Sequence, residues 1–285
     1  PLLKIHLSAA RIFCFGIDKL KWNEYAKRLK KVMGIKHSTL AEQLASDIEL
    51  IQESASDQLQ GVEFDTFRVS TKRQYKEFPL SSQAVNEVVG KHIQSLYLKP
   101  VDLKNPKLDM VIELVNGMAY VGYNRIHGYG GLPVGTSEHA VSMISSGIDS
   151  PAASFEMLQR GVDLSYVHFH SSPVTSRQSI QNVEDILMVL AGYQIQCRVY
   201  MVPLLKIQQK IMADAPNKLW VILFRRAMIR IASRIAEKID APALVSGESV
   251  GQVASQTLSN IRATADAADR PILQPLCGMN KEDIV

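Results

Sequence analysis

The sequence predicts an α/β protein in two parts. The first half is an α+β module of mixed helices and strands, and the second is a doubly wound parallel sheet. Three observations carry this. From about Glu138 onward, short apolar runs alternate with longer helical runs, the pattern of strands joined by crossover helices. In the first half, alternating runs flank Asn116-Gly117, a strong hairpin signal. Between the halves lies Gly128-Tyr-Gly-Gly-Leu-Pro-Val-Gly135, a segment suited to a hinge and not to a helix.

Taken in order, residues 11–15 read as a strand and residues 23–32 as a basic amphipathic helix, with Gly34 as its stop. Ser38 is expected to cap a helix carrying Leu40, Leu44, Ile48 and Ile51 at helical spacing. Residues 64–70 alternate like a strand. Ser81 or Ser82 is expected to cap a helix with Val85, Val88, Val89 and Ile93 inward. Residues 111–115 and 119–124 form the hairpin. In the second half, strands are expected at 141–144, 164–168, 197–202, 243–245 and 272–276. Helices are expected at 151–160, 179–191 and 219–239. Sheets of this kind bind ligands beyond the carboxyl ends of their strands.

Composition bounds the function. Hydrophobic residues make up 46% and charged residues 21%, an ordinary globular balance with enough apolar material for a core. No run of about 18 uncharged apolar residues marks a membrane span; the longest candidate, 219–239, is interrupted by Arg225, Arg226, Arg230 and Arg234. No signal peptide is visible, and the natural start is expected to precede Pro1. Cys14, Cys197 and Cys277 lack metal-ligand spacing, which fits a reducing cytoplasm. Up to Lys36 there are nine Lys and Arg against two acids. That run is either a solvated helix face or a phosphate-contacting surface.

One loop carries chemistry. The short strand Val141-Ser-Met-Ile144 runs into Ser145-Ser146-Gly147-Ile148-Asp149-Ser150, then Pro151. Ser150 suits an N-cap and Pro151 a first helical position. Strand, small-residue loop and helix start together present backbone N–H groups and a positive dipole end to an anion. The spaced Gly-Lys-Ser/Thr of a Walker loop is absent. The alternative is an ordinary strand-turn-helix junction.

The loop resembles the PP-loop of ATP pyrophosphatases, S-G-G-x-D-S, with Ser146 in place of a glycine; a Cβ there is expected to crowd the nucleotide and weaken ATP binding. The run Leu244-Val-Ser-Gly-Glu-Ser-Val-Gly-Gln-Val-Ala-Ser-Gln-Thr-Leu258 resembles the tRNA 4-thiouridine synthetase family. So do Val167-His-Phe-His170, Phe224-Arg-Arg-Ala-Met228, Pro275-Leu276 with Gly278-Met279, and the Gly130–Thr136 linker. Phe67-Arg-Val, Lys72-Arg73 and the helix after Ser82 resemble its THUMP module.

The resemblance covers nearly the whole chain. It implies an adenine nucleotide alpha hydrolase-like sheet at 132–285, a THUMP RNA-binding domain at 36–131, and the remnant of an N-terminal ferredoxin-like domain at 1–35. It implies a fragment lacking both ends.

The implied nucleotide site is Met143, Ile144, Ser145, Gly147, Ser150, His168, Phe169, Arg225, Gly247 and Gln256. Asp149 would orient the loop or a magnesium ion, with plain helix capping as the alternative; Glu248 could serve either purpose. Arg225 has independent support. It shares a helix stripe with Ile229, Ala232 and Ala236, where a charge is costly unless a phosphate or carboxylate answers it. Arg226, Arg230, Arg234 and Lys238 lie on another face, read as solvated. His168 and His170 share one side of a strand without a third ligand, so no metal site is expected beyond magnesium with ATP. Lys72, Arg73 and Lys76, interleaved with Tyr75 and Phe78, are the RNA-binding candidates.

The implied activity is ATP-dependent adenylation of a tRNA uridine followed by sulfur transfer, with tRNA and a cysteine desulfurase as partners. A role in thiamine thiazole synthesis and a homodimer are compatible. The family's sulfur-carrying cysteine has no counterpart: Cys277 and Cys197 read as core cysteines. Two other readings stand beside this one. One is a non-catalytic tRNA- and ATP-binding relative, and the other is a PP-loop synthetase acting on a small molecule.

Overall fold

The computed structural model describes residues 4–8, 10–74, 77–174 and 177–284. They form two compact units, Pro1–Lys30 with His37–Gly128, and Lys31–Lys36 with Tyr129–Val285.

The first unit opens with a hairpin of β1 (Lys4–Ser8) and β2 (Arg11–Phe15), then α1 (Trp22–Lys30). A short pair, β3 (His37–Ser38) with β8 (Ile126–His127), brackets the rest. Its four-stranded sheet has the order β4 (Ala41–Ala45), β7 (Met118–Tyr123), β6 (Leu108–Val115), β5 (Phe67–Arg73). The β5–β6 pair is parallel and the other pairs antiparallel. Asn116 (φ 50°) and Gly117 (φ 76°) supply the two left-handed positions that the tight β6–β7 turn requires. Helices α2 (Ile48–Asp57) and α3 (Ser82–Tyr97) cover one face, burying Ile51, Ala55, Val85, Val89 and Ile93 against Phe67, Met110, Ile112 and Val121. The β1–β2 hairpin meets the other face, where Phe13 packs on Tyr120 at 4.3 Å and Arg11 pairs with Glu113 at 2.6 Å.

The second unit is an all-parallel sheet. Its order is β11 (Arg198–Pro203), β10 (Asp163–His170), β9 (His139–Ile144), β12 (Ala243–Val245), β13 (Ile272–Leu273). Alternate residues feed two cores. On one face Ala140, Ile144, Leu164, Tyr166 and Val245 pack with α4 (Asp149–Gln159) and α5 (Arg177–Leu190). On the other, Val141, Val167 and Leu244 meet Ile229, Ala232 and Ala236 of α7 (Trp220–Lys238). Both faces are thus covered, as the doubly wound prediction requires. Helices α6 (Leu205–Asp214), α8 (Leu258–Ala265) and α9 (Lys281–Ile284) complete it. Among the described residues no helix is long and apolar enough to cross a membrane.

Three local expectations are corrected. No helix begins at Ser38: residues 41–45 pair with β7, and the helix starts at Ile48, where the Asp47 carboxylate accepts from Glu49 N (2.9 Å) and Leu50 N (3.2 Å). The sheet ladder outweighs a weak local helical pattern. Ser150 is not an N-cap. Ile148 takes that position in helical geometry, which puts Pro151 at the third helical residue, still within the turn whose N–H groups lack helical partners. Finally, α6 has no counterpart in the sequence prediction; its start lacks a side-chain cap and it buries no residue, so neither usual signal was present.

Candidate nucleotide site

In the sheet order, β9 lies between β10 on one side and β12 on the other, and the order in which strands are added reverses there. The crevice at that switch point is where such sheets take ligands. Two loops meet there: 145–150 after β9, and 246–256 after β12.

The first loop is held from below. Ser142 on β9 bonds Ser154 on α4 at 2.8 Å, and the Ser154 hydroxyl donates to Ser150 O at 2.8 Å, all fully buried. The Ser150 hydroxyl reaches back and accepts from Ser145 N at 2.9 Å. This fixes a tight turn with the start of α4 facing outward. Ser145 N is therefore spent inside the loop. The amides of Ser146, Ile148, Asp149 and Ser150 have no partner among the described residues. A Cβ at Gly147 would meet only Ser145 Oγ, at 3.7 Å, so the loop is open there.

Ser146 stands where the resembled motif has glycine. Its φ is not left-handed, so the backbone does not demand glycine. Its exposed side chain lies 3.5 Å from the Ser179 hydroxyl on α5.

The second loop packs against the first through Gly247, whose neighbours are the backbone of Asp149 and Ser150. It is tied by Val250 N to Cys277 O (3.1 Å) and Gly251 N to Gln256 O (3.0 Å). Three acceptor oxygens at this crevice are buried without a partner: Asp149 Oδ1, Gln252 Oε1 and Gln256 Oε1. Buried acceptors left unpaired are costly, and their gathering on the two loops at the switch point marks a polar site.

Arg225 on α7 reaches the second loop, pairing with Glu248 Oε1 at 3.0 Å and donating to Ser255 O at 3.3 Å. The other Glu248 oxygen accepts from Gln274 at 2.9 Å. The carboxylate partner expected for Arg225 is thus Glu248. His168 is buried, and its Nδ1 lies 3.0 Å from Ile144 O, so that nitrogen carries the proton. Met143 and Phe169 lie half-buried on the opposite face, against the α7 core. Ile144, Ser145, Gly147, Asp149, Ser150 and His168 thus stand at or just beyond the ends of β9 and β10, Gly247 and Gln256 on the loop after β12, and Arg225 reaches that loop from α7, while Met143 and Phe169 face the α7 core. Gln252 was not singled out, although it lies within the run that carried the resemblance. Among the described residues no three His, Cys, Asp or Glu side chains form a metal cluster.

Elsewhere the outcomes divide. Arg230, Arg234 and Lys238 are exposed as expected, but Arg226 is half-buried, bonded to Ala263 O and 3.6 Å from Asp266. Cys197 is half-buried and packs against the core of Leu164, Tyr166 and Leu190, as expected, while Cys277 is half-buried; burial pushes the Cys197 thiol up, against a smaller opposing hydrogen bond with Gln194. Lys72 is exposed on β5. Arg73 instead donates to Phe78 O (2.9 Å) and Leu80 O (3.0 Å). Tyr75 and Lys76 lie outside the described residues.

Comparison with known proteins fits this layout. The family model for thiamine biosynthesis protein (ThiI) matches residues 135–285, and the THUMP domain model matches residues 45–124. The chain is 36% identical to a probable tRNA sulfurtransferase of Thermus thermophilus, over 95% of this chain and 67% of the relative. It is 40% identical to one from Thermoanaerobacter pseudethanolicus, over 92% and 69%. A solved 4-thiouridine synthetase–RNA complex with bound ATP superposes with a TM-score of 0.86 at 33% identity, covering 99% of this chain and 74% of that one. With a family model over more than half its length and relatives matched over about two thirds of theirs, this chain belongs to the ThiI family of tRNA sulfurtransferases.

Proposed function

We propose that this chain binds ATP at the 145–150 loop and uses it to adenylate a tRNA uridine on the way to 4-thiouridine. The observation that carries this is the start of α4. Four amides without a partner among the described residues lie at this turn, together with three buried unpaired acceptors on the two loops.

The free amides of Ser146, Ile148, Asp149 and Ser150 receive the non-bridging oxygens of the β- and γ-phosphates, aided by the helix dipole. Met143, Ile144, His168 and Phe169 border the nucleoside. The uridine C4 carbonyl oxygen attacks the α-phosphorus, the α–β bond breaks, and pyrophosphate leaves with the charge the amides hold. A persulfide on a carrier cysteine, charged by a cysteine desulfurase, then attacks C4 through its outer sulfur and expels AMP; a second thiol cleaves the resulting S–S bond, releasing 4-thiouridine and leaving a disulfide. Magnesium, when bound with the nucleotide, neutralises phosphate charge. The unpaired Asp149 Oδ1 is a fitting ligand for it. In the domain division proposed here, residues 36–131 hold the tRNA, with Lys72, Arg73 and Lys76 as candidate contacts, and residues 132–285 carry the chemistry.

The test is pyrophosphate release by the purified chain with ATP and unmodified tRNA. Release that needs both supports adenylation. ATP and tRNA binding without release favours the non-catalytic relative.

A further inference from the structure

The acceptor set around Asp149 is more specific than an ATP site requires. Asp149, at the first turn of α4, uses one oxygen to accept from Gln252 Nε2 at 3.3 Å. Its other oxygen, Oδ1, is buried and unpaired, and so is Gln252 Oε1. The amide orientation is forced: a carboxylate only accepts, so Gln252 must turn its NH₂ toward Asp149 and its carbonyl away. Gln256, 6% exposed, adds a third unpaired acceptor, its amide carbonyl oxygen, from the same loop. The unpaired buried atoms of this group are all acceptor oxygens. A set of one carboxylate oxygen and amide carbonyls suits a hard cation that keeps most of its water and shares its shell with phosphate.

The loop bearing Gln252 is not free to swing. Gly247 abuts the backbone of Asp149 and Ser150, Val250 N is bonded to Cys277 O, and Gly251 (φ 74°) turns the chain back so that its N–H meets Gln256 O. Gln252 is thus presented to Asp149 from a braced loop.

We infer that Gln252 is a positioning residue for magnesium–ATP: it fixes the Asp149 carboxylate through Oδ2 and leaves Oδ1, with its own carbonyl, directed to the cation. The inference rests on the ATP site proposed above and adds a residue and a cation dependence to it. Its Nε2 orients a ligand, and its Oε1 is available to the cation's shell or to a water in it.

Calorimetric ATP titrations in EDTA and in saturating magnesium give the magnesium-dependent gain in affinity, a readout separate from turnover. In the parent chain the gain is expected to be clear. Gln252→Ala should lose about tenfold of it, the scale seen when an outer partner of a metal ligand is removed, while affinity in EDTA stays within about twofold. Gln252→Met retains the bulk and should behave like Gln252→Ala, which separates loss of the amide from loosening of the loop. Gln252→Glu places a second carboxylate at the cation and should enlarge the gain. The same gain in all four proteins, or equal losses with and without magnesium, overturns the role of Gln252. Failure of the parent to bind ATP in either buffer overturns the site itself.

Discussion

Gly247 lies directly against Asp149. An ideal Cβ at Gly247 would fall 2.6 Å from Ser150 N and 2.8 Å from Asp149 O, closer than real contacts allow. The glycine lets the loop after β12 touch the start of α4, and that contact sets the width of the crevice. Gly247→Ala must push one loop away, at a cost of about 1–3 kcal/mol for an overpacked contact. The expected result is at least a tenfold loss of ATP affinity by calorimetry with a lowered melting temperature. Unchanged affinity would mean the contact does not shape the site.

Ser146 gives the opposite expectation. Its side chain sits beside Ser179 at 3.5 Å, and its backbone is not left-handed. Ser146→Gly should therefore leave ATP affinity within about threefold, since one exposed hydroxyl contact contributes at most about 1 kcal/mol. A tenfold tighter Kd would restore the crowding argument.

Lys72 and Arg73 are neighbours on β5 with different tasks. Lys72 is exposed, and Arg73 is bonded to two backbone carbonyls. Lys72→Ala should weaken tRNA binding and lower the salt slope of log K by about 1, with no change in melting temperature. Arg73→Ala should lower stability by about 1 kcal/mol, because Phe78 O and Leu80 O lose their donor. Equal stability losses in both variants would contradict the division.

Sequence and structure agree best where one signal decides alone. Asn116-Gly117 specifies its turn by backbone geometry, and 243–245 appears as a strand with the bounds its apolar run gives. The 38–51 segment shows the limit. Leu40, Leu44, Ile48 and Ile51 fit a helix, but residues 41–45 are claimed by β7, a partner more than seventy positions away. Ser150 has the composition of a cap, yet its hydroxyl turns back to Ser145 N, a geometry residue type does not encode. The loop at 145–150 was legible because strand, small residues and helix start are contiguous. The pairing of Asp149 with Gln252 was not, because it spans 103 positions and exists only once both loops stand at one switch point.

Asp109 predicts a pH dependence in the first unit. It pairs with Arg68 at 3.1 Å and with Arg125, and accepts from the Ser70 hydroxyl at 2.5 Å. Burial pushes its carboxyl up, but the Arg68 and Ser70 hydrogen bonds and the two guanidinium charges outweigh burial and hold it below its ordinary value of 3.8. With the folded value below the unfolded one, the contribution is complete above the unfolded value and is lost as pH falls through the folded one. Asp109→Asn should cost about 2 kcal/mol at pH 7 and flatten the fall in melting temperature on acidification below that value. A variant whose acid limb matches the parent would sink this assignment.

The central claim is that amides at the start of α4 receive the phosphates of ATP, and a crystal structure of the chain soaked with ATP and magnesium tests it most directly. The account predicts β- and γ-phosphate oxygens within hydrogen-bond distance of Ser146, Ile148, Asp149 or Ser150 N, with the Gln252–Asp149 pair retained. An unoccupied loop at saturating nucleotide, or phosphates bound away from the β9–β12 crevice, would contradict it.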